Sequence, residues 1–226
     1  TERLKRLLKT KGNRDEAVME MIREICKQTK SIRFEGNGYS EEWRAEAEKR
    51  GLPVLNTTPE ALKVFNNQKA TQFLVDTKVL SANEIKSRFH INVERYIKTL
   101  DIEFATLIEM AKGFVIPAVE RQLIQVGGAH DVIKSASIKK VHKLRLNELE
   151  QNFALILKAL ENIEKLFCKS QNIHDEIARM DHIVGSMVPA AEKLRTACDL
   201  AEAIVSDEFW SLPKYREMLF SNTLTS

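Results

Sequence analysis

Apolar residues recur every three or four positions over the second half of the chain, a spacing typical of helices that pack along one side. Two runs keep alternating steps of three and four, separated only by the polar residues 169–172. The first run is Leu146, Leu149, Phe153, Ile156, Leu160, Ile163 and Phe167, and the second is Ile173, Ile177, Met180, Val184, Met187, Ala191, Leu194, Cys198, Ala201 and Val205. This pattern predicts an antiparallel helical hairpin with coiled-coil-like packing. One long helix bent near residue 171 is the alternative, because no glycine or proline marks the break.

Another long helix is predicted to begin after Ser81, because Ser81 and Glu84 have the spacing of a capping box. We expect it to run past Arg121, with Pro117 producing a kink. The Gly127-Gly128 pair should end it, and the next helix should begin near Asp131. Its apolar positions are Phe89, Val93, Tyr96, Leu100, Phe104, Leu107, Ala111, Phe114 and Ala118.

The first 80 residues have shorter periodic segments. A helix is predicted over 15–30, with Val18, Met19, Ile22, Ile25 and Cys26 on one face, followed by a short extended piece over 31–34. A second helix, over 41–50, has Ser40 as its N-cap and stops at Gly51. A third begins at Thr58-Pro59, with Thr58 as the N-cap. We therefore divide the chain into residues 1–80, short helices and loops, and residues 81–226, a long-helix bundle.

The composition supports an all-α fold. Hydrophobic residues make up 43% of the 226 positions, whereas there are only 8 glycines and 5 prolines. The formal charge of +3 is nearly balanced and does not demand a polyanionic partner. Three cysteines without metal-type spacing, and no apolar run long enough for a membrane, lead us to expect a cytoplasmic protein with reduced thiols.

No residue is predicted to have a catalytic, cofactor-binding or metal-binding role. None of the five histidines (His90, His130, His142, His174 and His182) has the Glu-x-x-His spacing of a di-metal site, and His174 with His182 is at most a weak ligand pair. The loop 36–40 has the context of an anion-binding nest, but a structural turn with a helix cap is favoured. The basic stretch from Lys134 to Arg145 contains no acidic residue and is the best candidate for binding nucleic acid or an acidic partner, although a solvated face is favoured.

Several segments resemble, in order, the region that follows the catalytic domain in type III glutamine synthetases, which occur mainly in bacteria. They are FEGNGYSEEW (34–43), EAEKRGLP (46–53), NTTPEAL (56–62), YIKTLDIE (96–103), MAK (110–112), IPAV (116–119) and WSLPKYREMLF (210–220). The last segment is rich in large apolar side chains, so we expect it to be buried against the body of the chain or a neighbouring subunit.

This resemblance implies a parent enzyme that ligates ammonia to glutamate with ATP and a divalent metal, Mg or Mn. The groups that bind them would lie upstream of this chain, so none is assigned to a residue here. The resemblance also implies a homo-oligomer of two stacked rings. Residues 1–80 would link to the upstream catalytic domain, and the chain's own partners would be that domain and neighbouring subunits. The initial Thr1 fits a piece of a longer protein.

Three functions are weighed against one another. The first is a non-catalytic helical domain that serves subunit structure and oligomer assembly. The second is an independent helical-bundle adaptor that binds partner helices through its exposed seam. The third, a nucleic-acid binder acting through Lys134–Arg145, ranks last because that stretch has no aromatic residue for base stacking.

Overall fold

The computed structural model describes residues 2–220, and the predicted all-α fold is confirmed: no strand occurs in that range. The tail prediction extends to Phe220, whose side chain lies outside the description. Two compact units divide the chain, Thr1–Asn56 and Thr57–Ser226. None of the helices within 2–220 has the length and apolar character that crossing a membrane requires.

The unit Thr1–Asn56 contains three α-helices and one short 3₁₀ helix. These are α1 (Glu2–Lys11), α2 (Arg14–Gln28), the 3₁₀ helix Lys30–Ile32, and α3 (Glu41–Lys49). The Oγ atom of Ser40 accepts a hydrogen bond from the N–H of Trp43, which confirms the predicted cap. Gly51 adopts φ +70°, a conformation that glycine reaches without a Cβ clash, so α3 ends where predicted.

Two details of this unit differ from the prediction. The segment 31–34 is only partly extended: Ser31 and Ile32 belong to the 3₁₀ helix, whereas Arg33 has extended backbone angles. The apolar face of α2 is not buried as a stripe: Met19, Ile22 and Ile25 are exposed, and Ala17 is the residue of α2 that is buried. Alternating short patterns of four residues cannot separate a strand from a helical turn, which explains the first error.

The unit Thr57–Ser226 begins with short helices: α4 (Thr58–Lys63), the 3₁₀ helix Val64–Asn66 and α5 (Gln68–Asp76). The N-cap of α4 is Thr57 rather than the predicted Thr58. The Oγ1 atom of Thr57 accepts from the N–H of Glu60, and the Glu60 carboxylate accepts from the N–H of Thr57. Glu60 lies three residues after Thr57, so only Thr57 can form this capping box.

Residues 57–80 pack with the long helices. Leu62 is buried in the same core as Phe89, and the Nζ atom of Lys63 lies 2.7 Å from Oδ1 of Asp181. The boundary between the two compact units therefore lies between residues 56 and 57. The boundary predicted between residues 80 and 81 instead coincides with the change from short to long helices.

Long helices form the rest of this unit. They are α6 (Ala82–Met110), α7 (Ile116–Val132), α8 (Ala136–Gln171), α9 (Glu176–His182) and α10 (Val188–Ile204), followed by the short α11 (Tyr215–Phe220). The Ser81–Glu84 capping box is present, with both hydrogen bonds made. The Gly127-Gly128 pair does not end a helix: α7 continues to Val132, and α8 begins at Ala136 rather than near Asp131. Each glycine costs about 1 kcal/mol relative to alanine, which the packing of α7 on α8 outweighs.

Two π-helical turns interrupt the long helices, Ala111–Val115 between α6 and α7, and Ile183–Met187 between α9 and α10. Each contains a glycine four residues before a proline, Gly113 before Pro117 and Gly185 before Pro189. A proline ring clashes with the carbonyl four residues earlier, and the wider turn relieves that clash. The extra residue also displaces the apolar seam. Phe114, predicted to be buried, is 43% exposed, and Val115 is buried in its place.

Helix α8 and the α9–α10 segment form the predicted antiparallel hairpin. The Arg179 side chain donates to Ser170 near the turn, whereas Asn152 donates to the carbonyl of Ala197 far from it. The two residues of each pair thus lie equally far along the chain before and after the break, as they do in an antiparallel hairpin. This pairing excludes one bent helix. The buried seam includes Leu149, Ile156, Leu160 and Ile163 of α8, and Met180, Ile183, Met187, Leu194, Ala197 and Ala201 of the other arm.

The α6–α7 stretch lies beside this hairpin as a third arm. It runs antiparallel to α8, since Lys112 pairs with Glu164 whereas His130 stacks on His142 farther along. It runs in the same direction as α9–α10, because Nδ1 of His90 lies 3.1 Å from Glu176 and Gln122 binds the N–H of Ser206. The Thr57–Ser226 unit is therefore a three-arm bundle, against which the C-terminal segment can pack.

Candidate functional site

The C-terminal segment, residues 205–220, is held on the bundle by a buried lysine. The Nζ atom of Lys214 donates to the backbone carbonyls of Glu202, at 3.1 Å, and Val205, at 3.2 Å. It also lies 2.6 Å from Oδ1 of Asp207. The last carbonyls of a helix have no partner within the helix, so this ammonium group both satisfies the end of α10 and complements its dipole.

A buried glutamine supports the same segment from the α7 side. Gln122 is fully buried, and its Oε1 atom accepts a 2.8 Å hydrogen bond from the N–H of Ser206. Its Nε2 atom donates to Oε1 of Gln125. Because both polar ends of this side chain have partners, the turn that follows α10 is fixed to α7 without an unsatisfied amide.

The first half of the tail is buried against the body of the chain, whereas burial of the second half against a neighbouring subunit stays a prediction. Trp210 is 8% exposed and Lys214 is also buried, but Tyr215 is half exposed, and Met218 and Leu219 are 59% and 79% exposed. The apolar composition of residues 210–220 could not distinguish these two halves. Lys214 anchors the segment although nothing in the pattern singled it out, because a lysine normally indicates a solvated position.

Two titratable groups near this segment have displaced pKa values. Hydrogen bonds from Lys214 and Arg216 hold the pKa of Asp207 below its ordinary range. Burial raises the pKa of the Cys198 thiol to about 11. Cys198 is therefore a neutral thiol at physiological pH, which is unsuited to nucleophilic catalysis or metal binding because both use the thiolate.

The histidines singled out from the sequence do not form a metal site. His182 has Nε2 at 3.2 Å from the carbonyl oxygen of Leu166, and His90 pairs with Glu176. The rings of His130 and His142 are stacked with centroids 6.2 Å apart. The two residues lie on either side of the turn between α7 and α8, and this position could have indicated that they pair. Within residues 2–220, no three His, Cys, Asp or Glu side chains lie together as a metal would need.

The loop 36–40 is a structural turn. The side-chain Oδ1 of Asn37 accepts from the N–H of Tyr39, and the hydroxyl of Ser40 donates to the carbonyl of Asn37 before capping α3. A Cβ at Gly36 would lie 2.7 Å from the ring of Phe34, so any other residue there would have to displace that ring. The backbone N–H groups of Tyr39 and Ser40 are thus used within the turn, the latter by the carbonyl of Asn37.

The basic stretch Lys134–Arg145 covers the turn after α7 and the first turns of α8. Apolar side chains accompany the bases on its outer surface: Ile138 is 57% exposed, Val141 68% and Leu144 65%. These three residues, spaced by three, are called the α8 face below. The charge of this stretch was evident from the sequence, but its exposed apolar positions were not, because they precede the heptad run that begins at Leu146.

Comparison with known proteins gives a consistent result. Residues 17–134, from α2 to the end of α7, match the family model described as the glutamine synthetase C-terminal domain. The chain is 29% identical over 216 residues to the type-3 glutamine synthetase of Dictyostelium discoideum, covering 92% of this chain and 29% of that protein. It is 27% identical over 219 residues to the glutamine synthetase of Bacteroides fragilis (strain YCH46), covering 92% of this chain and 30% of that protein.

The chain spans less than a third of the length of these relatives. The matches with them extend over nearly all of it, including the long hairpin that lies outside the family model. One of the two relatives is not bacterial, so the family is not restricted to bacteria. With a family model over more than half of its length and these relatives over most of it, the chain belongs to the glutamine synthetase C-terminal domain family, in its type III form.

Proposed function

We propose that this chain is the non-catalytic C-terminal domain of a type III glutamine synthetase and that it serves subunit structure and oligomer assembly. The parent activity is ATP-dependent ligation of ammonia to glutamate, with ATP and Mg or Mn held by the upstream catalytic domain. The chain's own residues would take no part in that chemistry. Its partners are the catalytic domain and neighbouring subunits.

The observation that carries the assembly role is the α8 face. Ile138, Val141 and Leu144 each expose more than half of their surface and lie within two turns of one helix. Val132, at the adjacent end of α7, is 76% exposed. Grouped apolar side chains at a surface, rimmed by polar ones, are typical of protein–protein contacts.

The charges around the α8 face indicate what would cover it. Lys139, Lys140, Lys143 and Arg145 surround it, and no acidic residue occurs between Asp131 and Glu148. An opposing surface with an apolar centre and acidic rim would bury the three side chains and neutralise these bases. A surface of that kind on the catalytic domain or a neighbouring subunit is the expected partner.

A triple substitution in the full-length protein tests this role. Ile138→Ser, Val141→Ser and Leu144→Ser together should lower the particle mass measured by mass photometry, and glutamine formation should fall with it. The matched control carries Ile91→Ser, Ile102→Ser and Ile124→Ser, which are equally exposed on α6 and α7. Wild-type mass and activity in the α8-face variant would contradict the proposed contact.

Nucleic acid remains the least supported partner of the same stretch. Its exposed apolar side chains are aliphatic, and single-stranded nucleic acid is bound largely through aromatic stacking. Saturable binding of an oligonucleotide that weakens with salt and with Lys139→Gln and Lys140→Gln would favour it instead.

A further inference from the structure

The loop before α3 carries an asparagine followed directly by a glycine. Asn37-Gly38 is the one Asn-Gly step among the 226 residues. In such a step the backbone nitrogen of the second residue can attack the side-chain carboxamide of the first, because glycine has no Cβ to obstruct the approach. The product is a five-membered succinimide ring. Whether a folded chain follows this route depends on how far the local structure leaves both groups free.

The reacting groups are free in this loop. Residues 35–39 are exposed, and Tyr39 exposes 95% of its surface. Among residues 2–220, neither the backbone N–H of Gly38 nor the side-chain nitrogen of Asn37 has a hydrogen-bond partner. A Cβ at Gly38 would meet no atom within 4 Å, so the loop is open at this residue. The nucleophile and the leaving group are therefore both unhindered.

The turn also orients the carboxamide. The Oδ1 atom of Asn37 accepts a 3.0 Å hydrogen bond from the N–H of Tyr39, so the side chain is folded back across the Gly38 peptide unit. Holding two groups near each other lowers the entropy cost of closing a ring. When the nitrogen attacks, this same oxygen takes up negative charge, and the N–H of Tyr39 is already directed at it.

We propose that Asn37 is a site of spontaneous deamidation in the folded protein. The Gly38 nitrogen loses its proton to water and bonds to Cγ of Asn37, and the Cγ–Nδ2 bond breaks as Nδ2 takes up a proton and leaves as ammonia. Water then adds to one of the two ring carbonyl carbons. Breaking the ring bond to Cγ gives aspartate, whereas breaking the ring bond to the backbone carbonyl carbon gives isoaspartate, which lengthens the main chain by one carbon.

Isoaspartate at this position disrupts the start of α3. The backbone carbonyl oxygen of Asn37 accepts from the N–H of Ser40 at 3.1 Å and from its hydroxyl at 2.9 Å, and Ser40 in turn caps α3. In isoaspartate this carbonyl becomes a free carboxylate outside the main chain, and the added carbon changes the length of the turn. This site is separate from the α8 face and does not depend on the assembly role.

Timed incubation of the purified chain at neutral pH tests the proposal. Mass spectrometry of the peptide that contains residue 37 follows the conversion of amide to acid, and methyl transfer by a protein isoaspartate methyltransferase detects isoaspartate. A synthetic peptide of residues 31–45 is the reference without a fold to orient the carboxamide. We expect the folded chain to lose the amide at least as fast as this peptide. Slower loss in the folded chain would overturn the proposal, because the turn would then protect the amide.

Two controls use the same chain. Gly38 does not have a positive φ and has open surroundings, so Gly38→Ala keeps the turn, but its methyl group hinders the attacking nitrogen and should slow the loss of amide about tenfold or more. Asn172 is exposed but is followed by a branched residue, and its Nδ2 donates to the carbonyl of Cys168, so it should keep its amide. Equal rates for Gly38→Ala and the wild type would overturn the succinimide route.

The effect on α3 is measured by hydrogen exchange. The isoaspartate form should exchange the amides of Trp43 and Arg44 faster than Asn37→Asp, which has the charge of the aspartate product but an unchanged main chain. Equal exchange in the two forms would overturn the predicted disruption of the helix start.

Discussion

The side-chain nitrogen Nδ2 of Asn152 donates a 3.0 Å hydrogen bond to the backbone carbonyl oxygen of Ala197, joining α8 to α10 inside the apolar seam. Asn152 is buried, and its Oδ1 atom has no partner. A single polar group in such a seam fixes the register of two helices, because any slip would leave the whole amide unsatisfied. This contact therefore specifies how the hairpin closes.

Replacing Asn152 with aspartate should destabilise the hairpin. The variant loses the donor and places a carboxylate against a carbonyl oxygen in a buried site, at a cost of about 3 kcal/mol or more. Urea unfolding at pH 7 measures this difference. Asn162→Asp, on the exposed side of the same helix, should cost less than about 0.5 kcal/mol. Equal costs for the two substitutions would show that the register does not depend on Asn152.

The seam itself is tested by Leu160→Asp. Leu160 is 5% exposed, so the substitution places a charge among apolar side chains and should lower the unfolding free energy by about 4 kcal/mol. Leu157 lies one turn away on the same helix and is 44% exposed. Leu157→Asp should leave the thermal midpoint close to wild type. If Leu160→Asp also left it unchanged, the assignment of the seam would be wrong.

Lys214→Met tests the anchor of the C-terminal segment. The variant keeps the aliphatic stem but leaves the carbonyls of Glu202 and Val205 without this donor. Limited thermolysin digestion should then cleave residues 206–220 about tenfold faster, because the docked state loses charge-assisted hydrogen bonds. Lys193→Met, at an exposed position of α10, is the control and should digest like the wild type. A wild-type rate for Lys214→Met would show that the lysine does not hold the segment.

The pKa of Asp207 gives this anchor a defined pH dependence. Since the pKa is lowered in the folded chain, the carboxylate contributes stability above its unfolded value of about 3.9 and loses it as pH falls through the folded value. Protection of residues 215–219 from hydrogen exchange should exceed that of Asp207→Asn equally at pH 7 and pH 5. The two proteins should converge only in more acidic solution. Convergence already between pH 7 and 5 would mean that another group controls docking.

The helical architecture could be predicted because its causes are local. The capping pair Ser81–Glu84 and the apolar steps of the hairpin depend on residues close in sequence. The capping pair is found as predicted, and the hairpin seam departs from its pattern at the second π turn, where Ile183 rather than Val184 is buried. Gly127-Gly128 was wrongly predicted to end a helix, because the free-energy cost of glycine in a helix is small compared with the stabilisation from packing α7 on α8. Phe114 was misassigned because a π turn adds one residue, and no apolar pattern shows where such a turn begins.

The features near the C-terminal segment could not be predicted for a different reason. Lys214 and Gln122 are polar residues whose burial depends on partners far along the chain, the end of α10 and Ser206. Trp210 was recognised as apolar, but its burial and the adjoining cavity depend on the C-terminal segment packing against α10 and the first π turn. Local sequence patterns carry no information about contacts between residues far apart in the chain. The family resemblance did identify the chain as a glutamine synthetase C-terminal domain.

The assembly role is tested most directly in the full-length protein, with and without the region of residues 1–226. Particle mass and glutamine formation are measured on both forms under the same conditions, with nucleotide binding to the catalytic domain as a check that this domain is folded. We predict that the shortened protein still binds ATP but forms smaller particles and less glutamine. A shortened protein with the particle size and activity of the complete enzyme would contradict the account.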